Sequence, residues 1–212
     1  MTVLEYHEVA PRATNVFTVS VSALREQMKA IQRGGRPVLT VHDLISAIRR
    51  HDVPWGSVVI TFDDGYQGVY KYALPILRSF GFRATAFVIG IDSYVPAVGA
   101  GHMTVAQLAQ LQQNGWDVES HSFNLHPPSP VHFGNAPWWL VSADLAMEDR
   151  LLACLGSPHE SFAYPGGFFT AASKALIEQN YLLAFGGGPG ESDPTDLWDW
   201  PRKPVSSTTS VP

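Results

Sequence analysis

Residues 57–65 read Ser-Val-Val-Ile-Thr-Phe-Asp-Asp-Gly, an apolar and largely β-branched run that ends in two adjacent carboxylates. Such a run is typical of a strand that is buried on both faces of a parallel sheet. Asp63 and Asp64 therefore follow the carboxyl end of a predicted strand, where parallel α/β folds place their ligand sites. Two like charges in a buried position repel each other, so the pattern favours a bound cation or a nearby arginine.

The aspartate pair also fits two other uses. One carboxylate could cap a helix that starts at Gln67, because a side-chain oxygen accepts the free amide protons of a helix N-terminus. A phosphatase nucleophile is the second use, although the usual two-aspartate arrangement of that class has one residue between the two carboxylates.

Strand-like runs and helical patterns alternate on both sides of this stretch. The strand-like runs cover 3–6, 84–89, 116–120, 161–164 and 181–185. Helices are expected after Ser22, Thr40 and Thr104, which are suitable N-cap residues. This alternation predicts parallel strands joined by helical crossovers, in either a doubly wound sheet or a barrel.

The composition predicts a folded globular domain and argues against a nucleic-acid-binding protein. Of 212 residues, 45% are hydrophobic and 16% are charged, and the formal net charge is −5. No basic block is present that would bind a phosphate backbone. Cys154 is the single cysteine, so the sequence excludes an internal disulfide and a thiolate metal cluster.

The start of the chain shows no basic leader followed by an apolar stretch, and no run approaches 18 apolar residues. We therefore expect no membrane span. The expected location is the cytoplasm, or outside the cell if a leader precedes this sequence.

Two histidines complete a candidate metal-binding set with Asp64. His121 follows the predicted strand 116–120, and His126 lies five residues further on, a spacing that requires a turn rather than a helix. Two imidazoles and one carboxylate provide three protein ligands and leave positions open for water, as in catalytic zinc sites. The same set suits ferrous iron, so an oxygenase that uses a co-substrate such as 2-oxoglutarate is a rival class.

Two long connections, 90–103 and 122–141, are longer than most loops in compact domains, which makes them candidates for functional segments. The second contains Trp138 and Trp139, which could form a wall or lid and stack on sugar rings.

Several motifs taken in order resemble the polysaccharide deacetylase family, the NodB-homology carbohydrate esterases. They are Thr61-Phe-Asp-Asp-Gly65-Tyr66, Tyr72-Ala-Leu-Pro75-Ile-Leu, Ala84-Thr-Ala-Phe-Val, Gly115-Trp-Asp-Val-Glu-Ser-His121 and Phe162-Ala-Tyr-Pro-Gly166. The opening Tyr6-His7-Glu8-Val9 and the spacing of the histidines are most similar to the branch that contains poly-N-acetylglucosamine de-N-acetylases. The resemblance implies a distorted (β/α) barrel of about seven parallel strands. Residues 1–204 would form the catalytic domain and residues 205–212 a flexible tail.

The resemblance also implies roles for the residues around the aspartate pair. Asp63 would be the general base, while Asp64, His121 and His126 would bind a divalent metal, with Zn²⁺ the default and Co²⁺, Ni²⁺ or Fe²⁺ as options. The backbone amide of Gly166 would stabilise the oxyanion, at a position that is usually Tyr in the family.

Further roles follow from the same resemblance. The late Leu-x-His motif of the family is absent, so His7 is the candidate general acid, and Arg202 is the candidate partner of the base. Four residues are candidates for contacts with the substrate: Tyr164, Pro165, Trp198 and Trp200.

The predicted function is removal of an N-acetyl group from an amino sugar or an N-acetylglucosamine-containing glycan. One alternative is a related C–N hydrolase or deformylase that acts on a carrier-linked amino sugar or natural product. The other is a relative that binds glycans without turnover. The expected partner is an N-acetylated carbohydrate.

Overall fold

The computed structural model describes residues 1–95, 100–186 and 195–212. Its strands are β1 (Thr2–Tyr6), β2 (Glu8–Ala10), β3 (Thr18–Ser20), β4 (Val38–Leu39), β5 (Val58–Phe62), β6 (Thr85–Val88), β7 (Asp117–Ser120), β8 (Ser161–Ala163), β9 (Leu183–Phe185) and β10 (Lys203–Pro204). Its α-helices are α1 (Val21–Arg33), α2 (Val41–Arg49), α3 (Leu74–Ser79), α4 (Gly90–Tyr94), α5 (Val105–Gln113), α6 (Trp138–Leu155) and α7 (Ala171–Asn180). None of the helices in these ranges combines the length and the apolar character that crossing a bilayer requires.

Seven parallel strands form one curled sheet in the order β10-β1-β5-β6-β7-β8-β9, and β4 adds to β5. The segment that contains β10 approaches both edges of the sheet. Trp200 forms a parallel bridge with Phe185 of β9, and Lys203 pairs with Leu4 of β1. The predicted distorted barrel of about seven parallel strands is confirmed.

Helix starts follow local signals in the sequence. Thr40 and Thr104 each form the predicted N-cap, and both are part of a reciprocal capping box with the third residue of the helix. Helix α1 differs from the prediction, because Ser20 rather than Ser22 is the N-cap. Ser20 has extended backbone geometry and accepts a hydrogen bond from the Ala23 amide, whereas Ser22 lies within the first turn.

The two long connections contain more helix than the sequence suggests. Helix α4 lies inside the connection 90–103, of which residues 96–99 are outside the described part of the chain. Helix α6 starts at Trp138, directly after the extended residue Pro137, and so absorbs the end of the connection 122–141.

The predicted flexible tail, 205–212, is packed against α1 in the structure. Val205 is only 4% exposed. Gln27 of α1 donates hydrogen bonds to the carbonyl oxygens of Ser206 and Thr209 at 2.9 and 3.1 Å. The Ser- and Thr-rich composition is typical of a frayed chain end. The tail is held because its backbone carbonyl groups accept hydrogen bonds from the buried Gln27 side-chain amide, which is distant in sequence.

Candidate active site

The carboxyl ends of the strands surround a cavity of about 510 Å³. Strand β5 leads into Asp63 and Asp64, β7 into His121, and β8 into Tyr164, as expected where parallel strands end at one edge. Among the predicted site residues, those that line this cavity are His7, Asp63, Asp64, His121, His126, Tyr164, Gly166 and Arg202.

Asp64, His121 and His126 converge at one point of the cavity. The Asp64 Oδ1 atom lies 3.5 Å from Nε2 of His121 and 3.2 Å from Nε2 of His126. Nδ1 of His121 lies 2.7 Å from the Ala163 carbonyl oxygen, and Nδ1 of His126 lies 2.6 Å from the Pro127 carbonyl oxygen. Because a carbonyl oxygen can only accept, each Nδ1 must carry a proton, which leaves Nε2 free as an acceptor in the neutral ring.

Three acceptor atoms that face one another need a cation or protons between them. The buried Asp64 Oδ1 has no conventional hydrogen-bond partner in the described structure. Burial disfavours the charge on Asp64, but the two imidazoles outweigh burial and lower the pKa of this carboxyl group. The donor set of one carboxylate and two imidazoles, with the Nδ1 atoms fixed by carbonyl groups, fits a divalent metal such as zinc.

A sharp turn separates the two neighbouring carboxylates. Asp64 has a φ of 67°, in the left-handed region that is uncommon for residues other than glycine, and Gly65 follows with a φ of 78°. Within the described residues, neither aspartate side chain accepts a hydrogen bond from a backbone amide of the helical segment 67–79, so neither has the capping role considered above. The turn allows Asp64 to face the histidines while Asp63 faces a different partner.

That partner is Arg202. Its two terminal nitrogens contact Oδ1 and Oδ2 of Asp63 at 2.7 and 2.6 Å, a bidentate pair in which Arg202 is only 5% exposed. The guanidinium also lies over the rings of Phe87 and Phe185, at 5.6 and 5.5 Å from their centres, and these two rings contact each other edge to face. Burial opposes the charge on Asp63, but the Arg202 guanidinium and then His121 outweigh it, so the pKa of Asp63 is lowered.

His7 lines the same cavity and lies close to Asp63 and to Glu5, a carboxylate that the sequence analysis missed. Its Nε2 is 3.7 Å from Oε1 of Glu5, and Oε2 of Glu5 is 3.7 Å from Nε of Arg202. Glu5 and His7 are two residues apart at the end of a strand and therefore share a face, a signal that could have identified Glu5.

Gly166 occupies a tight turn after β8. Its φ is 64°, and a Cβ atom at this position would lie 2.9 Å from the Phe168 ring. A larger side chain here, such as the tyrosine usual in the family, would require both a strained backbone and a displaced Phe168.

Four aromatic residues and one proline lie away from the cavity, contrary to expectation. Trp198 is half-buried against the core, and its indole N–H donates to the Tyr181 carbonyl oxygen at 2.9 Å. Trp200 is half-buried and packs against the core cluster that includes Phe185. Trp138 and Trp139 are exposed at the start of α6, and Pro165 is buried next to the Gly166 turn. None of these five residues is among the described residues that line the cavity.

The structure adds residues to the cavity that the sequence analysis did not assign. Tyr66 belongs to the Asp-Asp-Gly-Tyr motif, and burial followed by the Asp64 carboxylate raises its pKa to about 12, so its hydroxyl stays protonated. Phe17 packs edge-on against His7 with ring centres 5.1 Å apart. Phe17 has no local sequence signal, because the loop before β3 brings it to the cavity.

The polysaccharide deacetylase family profile matches residues 50–183, which include Asp63, Asp64, His121 and His126. The chain belongs to this family. The family resemblance seen in the motifs is thereby confirmed.

Comparisons with individual deacetylases agree with this family. The chain is 27% identical over 172 residues to the poly-beta-1,6-N-acetyl-D-glucosamine N-deacetylase of Staphylococcus epidermidis, covering 77% of this chain and 59% of that protein. It spans between 42% and 59% of the length of the first curated relatives that it matches. Two solved structures share the fold: the Streptococcus pyogenes deacetylase PplD in complex with acetate (TM-score 0.87, 22% identity, 99% and 94% of the two chains) and IcaB from Ammonifex degensii (TM-score 0.83, 24% identity, 96% and 91%).

Proposed function

We propose that this polysaccharide deacetylase family member hydrolyses the N-acetyl amide of an amino sugar or of an N-acetylglucosamine-containing glycan, with one divalent metal. The observation that carries the proposal is the convergence of three metal-ligand atoms beside a separate, ionised carboxylate in one cavity. The Staphylococcus epidermidis relative, named for its action on poly-beta-1,6-N-acetyl-D-glucosamine, supports the choice of substrate.

Asp64, His121 and His126 would hold the metal, with Zn²⁺ the preferred ion and Co²⁺, Ni²⁺ or Fe²⁺ as substitutes. A divalent metal bound there supplies Lewis acidity to the amide carbonyl and to an attacking water. The neutral imidazoles present Nε2 because Ala163 and Pro127 hold their Nδ1 protons. This arrangement fixes the ring orientation before a metal binds.

Asp63 would take the proton of the attacking water. Arg202 occupies both carboxylate oxygens and keeps Asp63 ionised at neutral pH, so the group is in the state that a general base requires. Because the bidentate pair fixes the orientation of the carboxylate, Asp63 remains next to the metal ligands instead of joining them. Its Oδ2 atom is 3.9 Å from Nε2 of His121.

Two further groups would act on the tetrahedral intermediate and on the departing amine. The backbone N–H of Gly166, at the cavity wall, would stabilise the negative oxygen of the tetrahedral intermediate. His7 would donate a proton to the departing amine, with Glu5 as its neighbour.

The decisive experiment is acetate release from N-acetylglucosamine oligomers by zinc- or cobalt-loaded protein, compared with a chelated sample and with His121→Ala. The proposal is supported if only the metal-loaded wild type releases acetate and if His121→Ala contains no stoichiometric metal. If the variant retains full metal and activity, the metal site is wrong. If the loaded protein releases no acetate but releases formate from N-formyl sugars, the deformylase alternative replaces the proposal.

A further inference from the structure

The turn between the two ligand histidines is held by its backbone rather than by its own side chains. Ser122 has a φ of 68°, in the left-handed region, and its hydroxyl has no hydrogen-bond partner in the described residues. The carbonyl oxygens of Ser122 and Phe123 accept hydrogen bonds from the amides of Gly90 and Ile91, at 3.1 and 2.8 Å. The start of α4 therefore holds the carbonyl side of this turn.

The amide side of the same turn is held by one carboxylate. Asp144, on α6, accepts hydrogen bonds from the Phe123 amide through Oδ2 at 2.8 Å and from the Asn124 amide through Oδ1 at 2.7 Å. Asp144 is 6% exposed, and neither amide lies in its own helix. A buried carboxylate with both oxygens on successive backbone amides resembles an anion in a backbone nest, which fixes the local chain path.

We infer that Asp144 is a positioning residue for the metal site: it sets the path of the chain from His121 to His126 and therefore the separation of their Nε2 atoms. The inference rests on the proposed function. His121 is placed by β7, but His126 lies beyond the turn, so its position depends on what fixes residues 122–125. Asp144 accepts hydrogen bonds from the amides of this segment, and the α4 amides donate to its carbonyl oxygens. Both ligand histidines contact Asp64.

The test compares Asp144→Asn with Asp117→Asn. In Asp144→Asn an amide NH₂ replaces one acceptor and faces a backbone N–H, which should loosen the turn without changing the shape of the side chain. Asp117 is a matched control, because it also accepts from a backbone amide of another element, that of His42 at 2.9 Å, but at the start of β7 rather than its end.

Zinc affinity is measured by competition with a chromophoric chelator, and the visible spectrum of the Co²⁺ form reports the ligand geometry. We expect Asp144→Asn to bind zinc about 10- to 100-fold more weakly than the wild type, the size of loss seen when the orientation of a metal ligand is disturbed. Its Co²⁺ spectrum should change as well, while Asp117→Asn retains both properties. Thermal unfolding of the metal-free proteins checks that both variants fold.

The outcomes separate the inference from the proposed function. Unchanged zinc affinity in a folded Asp144→Asn, or an equal loss in Asp117→Asn, overturns the positioning role alone. Equal zinc binding by the wild type and His121→Ala overturns the metal site itself. If Asp144→Asn does not fold, Asp144→Ser, which is smaller and retains one acceptor, replaces it with the same expected loss and the same overturning result.

Discussion

Asp63 and Asp64 show how neighbouring residues of one type acquire different chemistry from their contacts. Asp63 is occupied on both oxygens by Arg202, whereas Asp64 presents Oδ1 to two imidazoles. The sequence placed both aspartates at the end of a buried strand, but local sequence could not assign the pairing. The guanidinium comes from a residue 139 positions away.

Replacing Asp63 by Asn should separate proton transfer from metal binding. The variant retains the shape of the side chain and all three metal ligands, so metal content should stay at the wild-type level. Loss of the general base should lower the rate of acetate release by about 10²- to 10⁴-fold. Metal analysis and turnover are measured on the same preparation, and wild-type turnover would remove Asp63 as the base.

Replacing Arg202 by Met should destabilise the protein, because Asp63 is left buried without its counter-charge. Removing one partner of a buried ion pair typically costs about 3–5 kcal/mol. The double variant Asp63→Asn with Arg202→Met removes both charges of this pair and should recover part of the loss. Urea unfolding of the three variants and the wild type measures this, and an additive double variant would show that the pair is not coupled.

Helix α6 is the element whose importance the sequence least revealed. The sequence analysis placed Trp138 and Trp139 in a connection that ends at residue 141, whereas in the structure α6 begins at Trp138 and supports the site through Asp144. Periodicity identifies which helical positions are apolar, but Asp144 and Glu148 are polar residues on the buried face. An acidic residue in a helix pattern is normally assigned to solvent, so the pattern alone hides this role.

Glu148 should make the stability of the protein depend on pH. Burial, and then Asp144, raise the pKa of Glu148 well above its ordinary value, so the folded protein keeps a proton that the unfolded chain releases above about pH 4. A raised pKa stabilises the folded state below the unfolded pKa, and this contribution is lost as the pH rises. Relative to Glu148→Gln, the free energy of unfolding of the wild type should therefore fall by up to about 1.4 kcal/mol per pH unit.

The measurement is urea unfolding of both metal-free proteins between pH 4 and pH 8. The Gln variant lacks only this ionisation, since the two side chains have nearly the same shape. Parallel stability curves across this range would show that Glu148 titrates normally in the folded protein.

At the scale of the whole molecule, the fold and most of the predicted site residues follow from alternating periodicity and motif order. Seven parallel strands, and the cavity at their carboxyl ends, match the expectation. Apart from the helix starts, one group of differences is Trp138, Trp139 and Pro165, which lie away from the cavity. The others lie near the C-terminal end, where Trp198 and Trp200 pack against the core and residues 205–212 pack on α1. Long-range packing decides these placements, and neither composition nor spacing encodes it locally.

Deleting residues 205–212 should destabilise the barrel. The deletion removes the buried Val205 and leaves the Gln27 amide without the two carbonyl acceptors described above. The deletion removes the burial of one aliphatic side chain and leaves one amide without acceptors. Together these changes should lower the free energy of unfolding by about 2–5 kcal/mol. An unchanged urea midpoint would instead match a tail that makes no stabilising contact.

The segment 200–204 is also the last part of the site to be synthesised. Residues 200–204 are synthesised after every strand from β1 to β9, and Arg202 contacts the rings of Phe87 and Phe185, which β6 and β9 carry. A domain generally folds as a unit. A chain that stops before residue 202 would contain Asp64, His121 and His126 but would lack the guanidinium that orients Asp63. Premature termination would therefore leave the metal-ligand residues without an oriented base.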